Sequence, residues 1–179
     1  MATDISVHRF TAKDKLFLDA NVWLYCYVPL KPGGYWERKY SAAICSMLNA
    51  RCIIAVDNLV LAEFANRSAH IKYELAREDD LSLPDTFRKF CASPHFAVVA
   101  ASVAAEVATV LRNSKPIDVP FSGFDTARLV IDFESGKRDF GDLLIAELCR
   151  RQGLTLVTND AGFTEPDIHI LTANRRLLS

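Results

Sequence analysis

The chain predicts an α/β domain with a mostly parallel central sheet. Short apolar runs alternate along it with longer stretches of helical character, the pattern of strand–helix–strand units. Two of those runs end on an acid, at Asp19 and Asp57. The 179 residues suffice for about one domain. Half of them are apolar, 24% are charged and 10% are aromatic, which excludes a disordered chain. A chain of this size buries roughly two-thirds of its unfolded surface, so it needs no disulfide or metal merely to fold.

The elements follow in order. Leu16-Phe17-Leu18 reads as a buried strand closed by Asp19. Lys31-Pro32-Gly33-Gly34 is a loop by its Pro and Gly content. Glu37 to Asn49 has helical character, with Ala43, Met47 and Ala50 on one stripe. Cys52 to Val56 is a second strand. Asp57 or Asn58 then caps a helix carrying Leu59, Ala62, Glu63, Asn66 and Arg67. Arg77 to Asp85 reads as an acidic loop, and Asp85 as the cap of a helix through Phe90. Phe96 to Ala100 is expected to be a third strand, with Ser102 capping a helix to Leu111. Pro116 and Pro120 mark Asn113 to Gly123 as a loop, and a helix follows from Asp125 to Phe133. After a break at Ser135-Gly136-Lys137-Arg138, Asp139 opens a helix that runs to Arg151 and stops at Gly153. Leu154 to Thr158 and Ile168 to Leu171 complete the strands.

Composition narrows the function. The net charge of −1 excludes a strongly basic binder, although a local basic patch stays open. The 5 Cys form no CxxC pair and the 4 His stand singly. Both facts argue against a disulfide framework or a Cys/His zinc site. The first residues lack the apolar stretch of a secretory signal. The longest apolar tract, Phe96 to Leu111, is interrupted by Ser102 and Glu106 and is too short to span a bilayer. A soluble, cytoplasmic chain without a membrane partner is the expectation.

The acids carry the chemistry. In an open parallel sheet the carboxyl ends of the strands line the ligand crevice. Asp19 and Asp160 both stand just past strands. Glu63 and Asp142 stand about one turn into helices that begin at that same edge, with Asp139 one turn before Asp142. Two carboxylates about 5 Å apart repel by roughly 3 kcal/mol at an effective dielectric near 20. Either the acids lie apart, or a cation compensates them. An oxygen-only ligand set favours a hard ion such as Mg²⁺ or Mn²⁺, which suits phosphodiester cleavage.

Phe17-Leu18-Asp19-Ala20-Asn21-Val22 resembles the opening motif of PIN-domain nucleases, and Leu59-Val60-Leu61-Ala62-Glu63 their second acidic motif. Asp142-Leu143-Leu144-Ile145-Ala146 and Gly153-Leu154-Thr155-Leu156-Val157-Thr158-Asn159-Asp160 resemble the third and fourth. The likeness runs in order from about Leu16 to Phe163. It implies one PIN-like α/β/α sandwich over residues 1–179 and a Mg²⁺- or Mn²⁺-dependent endoribonuclease. The subgroup it most resembles is the VapC-type toxins of bacterial and archaeal toxin–antitoxin pairs. By that match Asp19, Glu63, Asp142 and Asp160 would be the catalytic, metal-binding acids, supported by Asn21 and Asn159. Asp139 would be an additional acid that many relatives lack. The resemblance also implies an RNA substrate, a homodimer and a small antitoxin that blocks the crevice. The chain is longer than a typical toxin of this type, and the extra length is expected between Arg67 and Pro120.

Plainer roles compete at each position. Asp19 and Asp139 could be helix caps, and Asp142 could simply favour a helix start. Glu63 could pair with Arg67, and Asp160 could shape a turn with Asn159 and Gly162. An apolar neighbourhood for Glu63 argues against its plain role, since unpaired Glu is almost never buried. Lys137-Arg138, Arg150-Arg151 and Arg175-Arg176 could meet RNA phosphates, yet no combined aromatic and basic platform is visible. Trp23, Tyr25, Tyr27 and Trp36 read as packing or a dimer surface. Three other functions compete with this one: a PIN nuclease of RNA processing outside toxin pairs, a non-catalytic PIN scaffold, and a haloacid dehalogenase-like phosphatase. The phosphatase would use Asp19 as nucleophile, but that family usually has a second Asp where Asn21 stands, and an amide cannot transfer the proton.

Overall fold

The computed structural model describes residues 1–28, 33–136, 138–163 and 167–178. The strands are β1 (Ala2–Asp4), β2 (Lys15–Leu18), β3 (Ile53–Val56), β4 (Lys115–Pro116), β5 (Thr155–Val157) and β6 (Ile170–Thr172). The helices are α1 (Ala20–Tyr27), α2 (Tyr35–Asn49), α3 (Asn58–Asp79), α4 (Phe87–Cys91), α5 (Phe96–Arg112), α6 (Thr126–Glu134) and α7 (Phe140–Gln152). The strands form one sheet in the order β1-β6-β5-β2-β3-β4, and every pairing is parallel.

The sheet is covered on both faces. Consecutive residues Leu16, Phe17 and Leu18 are all buried, although their side chains point alternately to opposite sides. Strand β2 is central, with Phe17 opposite Ala55 of β3 and Leu156 of β5. Leu18 pairs with Val157, so Asp19 and Thr158 emerge together at the carboxyl edge, and the Asp19 N–H donates to the Val157 carbonyl at 3.0 Å. Helix α1 packs against α2 and α3, α3 against α5, and α6 against α7.

Local signals fix the helix starts at this edge. Asp57 accepts the Val60 N–H at 2.8 Å and caps α3. Asp139 accepts the Asp142 N–H at 2.8 Å and caps α7, which ends on Gly153 at φ +62°. That left-handed backbone favours glycine.

Several expectations need correction. Phe96 to Ala100 is not a strand but the first turn and more of α5, and Ser102 lies inside that helix. The stretch is rich in alanine, the best helix former, and its buried residues Val103 and Val110 stand at helical spacing. Helix α3 continues through Arg77 to Asp79 rather than yielding to a loop at Arg77. Thr86, not Asp85, caps α4, accepting the Lys89 N–H at 3.3 Å, while Asp85 pairs with Lys89 Nζ at 2.8 Å. Strands β1 and β4 were not foreseen, and the last strand begins at Ile170 rather than Ile168. Pro116 is tolerated in β4 because that strand is the sheet edge. Lys31 and Pro32 of the expected loop, and Lys137 of the expected break, lie outside the described residues.

The stretch from Arg67 to Pro120 holds most of α3 together with α4, α5 and β4. A polar latch joins α3 to α5: Ser68 Oγ donates to Glu106 Oε2 at 2.5 Å, and Lys72 Nζ lies 2.7 Å from Glu106 Oε1.

Candidate active site

The carboxyl edge of the sheet opens into a crevice of about 650 Å³. Asp19, Asn21, Glu63, Asp139, Asp142, Asn159 and Asp160 all line it, so the structure brings together every site residue expected from the sequence. Leu24, Val28, Ile71, Ile145, Tyr35 and Trp36 add apolar surface to its lining.

Asp19 is the most deeply placed acid, 6% exposed. It occupies the N-cap position of α1 yet makes no side-chain cap bond there. Its Oδ2 instead accepts from Thr158 Oγ1 at 2.7 Å and from Asn21 Nδ2 at 2.5 Å. Asn21 Oδ1 accepts the Asn159 N–H at 3.1 Å, and Thr158 Oγ1 accepts the Asp160 N–H at 3.0 Å. These bonds tie the start of α1 to the turn after β5. The plain role of Asp19 as a cap is therefore not the one observed.

Behind this turn stands Tyr40, fully buried on α2. Its hydroxyl accepts the Ala173 N–H at 3.1 Å. Its single proton has three oxygens within reach, the Thr158 carbonyl at 3.1 Å, Asn159 Oδ1 at 3.0 Å and Thr172 Oγ1 at 3.5 Å. Burial pushes the phenol up to about 12. Asn159 is held further by Tyr25, whose hydroxyl accepts from Nδ2 at 3.2 Å, and by Asn174, whose Nδ2 donates to the Asn159 carbonyl at 2.7 Å. Sequence reasoning missed Thr158, Tyr40 and Asn174 as supports. The Thr158-Asn159-Asp160 triplet right after a strand was a usable signal for Thr158. Tyr40 and Asn174 carried none, because their contacts lie far along the chain.

The acids sense one another. Asp142 is pushed up to about 7, first by burial, then by the charges of Asp139, Asp160, Asp19 and Glu63. Burial also raises Asp19, to about 6, against the Thr158 hydrogen bond, with Glu63 and Asp160 adding to the rise. Asp19 and Asp142 are thus the two acids whose surroundings favour the neutral form, and each lies close enough to its acidic neighbours to feel their charge.

Some plain roles are observed as well. Glu63 pairs with Arg67 at 3.8 Å, and its side chain is 48% exposed. The expected apolar surroundings of Glu63 are thus incorrect: the buried face of α3 carries Val60 and Phe64, and Glu63 looks into the open crevice. Asp160 Oδ1 accepts the Gly162 N–H at 2.8 Å, the bond of a tight turn. Asp139 is the cap of α7. Trp23, with Tyr27 stacked on it, is buried, and Tyr25 stacks on Tyr40, so the packing reading of these aromatics is the observed one.

Among the described residues no three His, Cys, Asp or Glu side chains stand as a ready-made metal cluster. The donor chemistry nevertheless fits a hard divalent cation. The acid donors are carboxylate oxygens, two of them carry pKa values raised first by burial and further by their acidic neighbours, and among the described residues Arg67 is the basic side chain that lines the crevice with them.

Comparison with known proteins agrees with this architecture. The PIN domain family model matches residues 16–168. Among solved structures, the VapBC2 complex from Rickettsia felis, bound to a DNA fragment from its promoter, contains a chain with 18% identity and a TM-score of 0.53. The alignment covers 88% of this chain and 97% of that one, and it shows a shared fold. No curated protein matches the chain. A family match over most of the sequence, laid on a parallel sheet whose carboxyl edge gathers the acids, leads to one conclusion: the chain belongs to the PIN domain family.

Proposed function

We propose that the protein is a Mg²⁺- or Mn²⁺-dependent endoribonuclease, the toxin of a VapBC-type pair. The gathering of Asp19, Glu63, Asp139, Asp142 and Asp160 around one crevice at the carboxyl edge of the sheet supports this reading. So much unbalanced negative charge is costly unless a cation resides there.

Asp19, Glu63, Asp142 and Asp160 would hold the ion. When bound, it lowers the pKa of a water for attack on phosphorus and neutralises charge on the phosphoryl oxygens. The chain supplies the positioning. Thr158 and Asn21 aim the Asp19 carboxylate and favour its ionised form. Asp139 fixes the first turn of α7 and with it Asp142. The Tyr40 hydroxyl and Asn174 brace the turn that presents Asp160.

Residues 1–179 are read as one PIN unit, because β1 and β6 flank the family match and complete its sheet. A small antitoxin and a second copy of the chain are the protein partners in this reading. The VapBC2 complex, itself a toxin–antitoxin pair by name, supports the former. The cytoplasm is the proposed compartment; among the described residues no helix is long and apolar enough to cross a membrane.

Replacement of Asp19, Glu63, Asp142 or Asp160 by its amide should abolish RNA cleavage while leaving the far-ultraviolet circular dichroism unchanged. Cleavage retained in all of these variants would reject the assignment. A non-catalytic PIN scaffold is the second reading. A parent protein that binds no divalent ion would support it.

A further inference from the structure

Tyr35 and Trp36 open α2 and stand on a rim shared by two depressions. On one side lies the acidic crevice. On the other lies a shallow cleft completed by Asn174, Arg175 and Arg176. These aromatic and basic residues are far apart in the chain, so the combined platform that the sequence did not reveal exists in the fold.

Tyr35 is 45% exposed, and its ring meets that of Trp36 edge to face at 4.7 Å between centroids. Lys39 Nζ lies 5.9 Å from the Tyr35 ring centre. Lys39 and Arg175 both lower the pKa of Asp4, so these two cations belong to one patch.

The cleft is also tied to the acids. Asn174 Oδ1 accepts the Arg176 N–H at 3.1 Å, and Asn174 Nδ2 donates to the carbonyl of Asn159, the neighbour of Asp160. A polyanion is repelled by the carboxylates it must approach. Its affinity must therefore come from contacts beside them. Flat exposed rings suit an unpaired base, and guanidinium groups suit the flanking phosphates.

On the ribonuclease reading of the crevice, we propose that Tyr35, Trp36, Arg175 and Arg176 form a binding subsite for single-stranded RNA. One base stacks on the exposed ring and adjacent phosphates lie on the two arginines. Paired bases hide their faces in the helix, so the subsite selects unpaired RNA next to the acids.

The test measures binding of a labelled single-stranded RNA and of a hairpin to the full chain across a salt series, and Mn²⁺ binding by calorimetry on the same proteins. Tyr35→Ala should weaken single-strand binding at least five-fold, and Tyr35→Phe should restore it. Arg175→Ala/Arg176→Ala should weaken it at least ten-fold and shrink the slope of log K against log salt by about 1.4, that is about 0.7 for each of two phosphates. The hairpin should bind the parent more weakly than the single strand. Mn²⁺ affinity should not change in any of these variants, none of which touches the acids. The subsite is overturned if the parent binds no single-stranded RNA, if it prefers the hairpin, or if Tyr35→Ala and the double arginine variant bind like the parent. Unchanged RNA binding together with Mn²⁺ binding removes the subsite and leaves the crevice reading intact. The reverse pattern, RNA losses as stated but no Mn²⁺ binding by the parent, removes the crevice reading and keeps the subsite.

Discussion

Tyr40→Phe removes one oxygen from the interior and nothing else. The ring stays, so no cavity forms, and the change isolates the hydroxyl that braces the Thr158–Asp160 turn. In the parent this hydroxyl satisfies the buried Ala173 N–H at 3.1 Å and donates to Asn159 Oδ1 or the Thr158 carbonyl. The variant strands the N–H, whose desolvation costs about 1–3 kcal/mol once its partner is gone. Loss of the donated bond is softened, because the Asn159 side chain keeps Tyr25 and its carbonyl keeps Asn174. A net loss of about 2 kcal/mol is expected. In a domain of this size about 1 kcal/mol moves Tm by roughly 2–4 °C, which gives a fall of about 4–8 °C. The phenol is raised to about 12 and stays protonated at any working pH, so the fall should be the same at pH 6 and pH 9. Thermal melting at both values, with urea unfolding to check that the m-value is unchanged, measures it. A fall under 1 °C, or one that depends on pH, would refute the bracing argument.

Two further predictions concern the acids and the helices. Asp142 and Asp19 titrate near 7 and 6 in the fold against 3.8 for a free carboxyl, so between pH 4 and 7 the folded chain holds protons that the unfolded chain has lost. Stability of the metal-free protein should then fall as pH rises through that window, and Asp142→Asn should flatten the fall; a rise in urea midpoint from pH 4 to 7 in metal-free buffer would contradict it. Val98 is 77% exposed on α5, so Val98→Asp should change stability by no more than about 0.5 kcal/mol in urea unfolding, whereas a buried strand there would make it severely destabilising.

How much was legible in the sequence follows from how local each signal is. The strand closed by Asp19, the Asp57 cap, the Asp139 cap and the Gly153 stop all lie within a few residues of what they determine, and each is observed. Phe96 to Ala100 misled because a short apolar run has no period of its own, and only the alanines beyond it disclose the helix. Strands β1 and β4 span few residues and exist through their partners β6 and β3, so nothing in their own sequence announces them. The acids were legible because strand ends and helix starts meet at one sheet edge. Their supports were not. Tyr40 reaches Thr158 across more than a hundred residues, and the Tyr35–Arg176 cleft is longer-range still. Glu63 shows the limit of a neighbourhood argument: apolar sequence neighbours on a helix point elsewhere, and the residue itself faces the crevice.

If these acids form one cation site, calorimetric titration of Mn²⁺ into the parent and into Asp142→Asn will show it. Binding by the parent that the variant weakens at least ten-fold is the predicted result. No binding by either protein would rule out a cation site and leave the carboxylates as caps, turns and ion pairs.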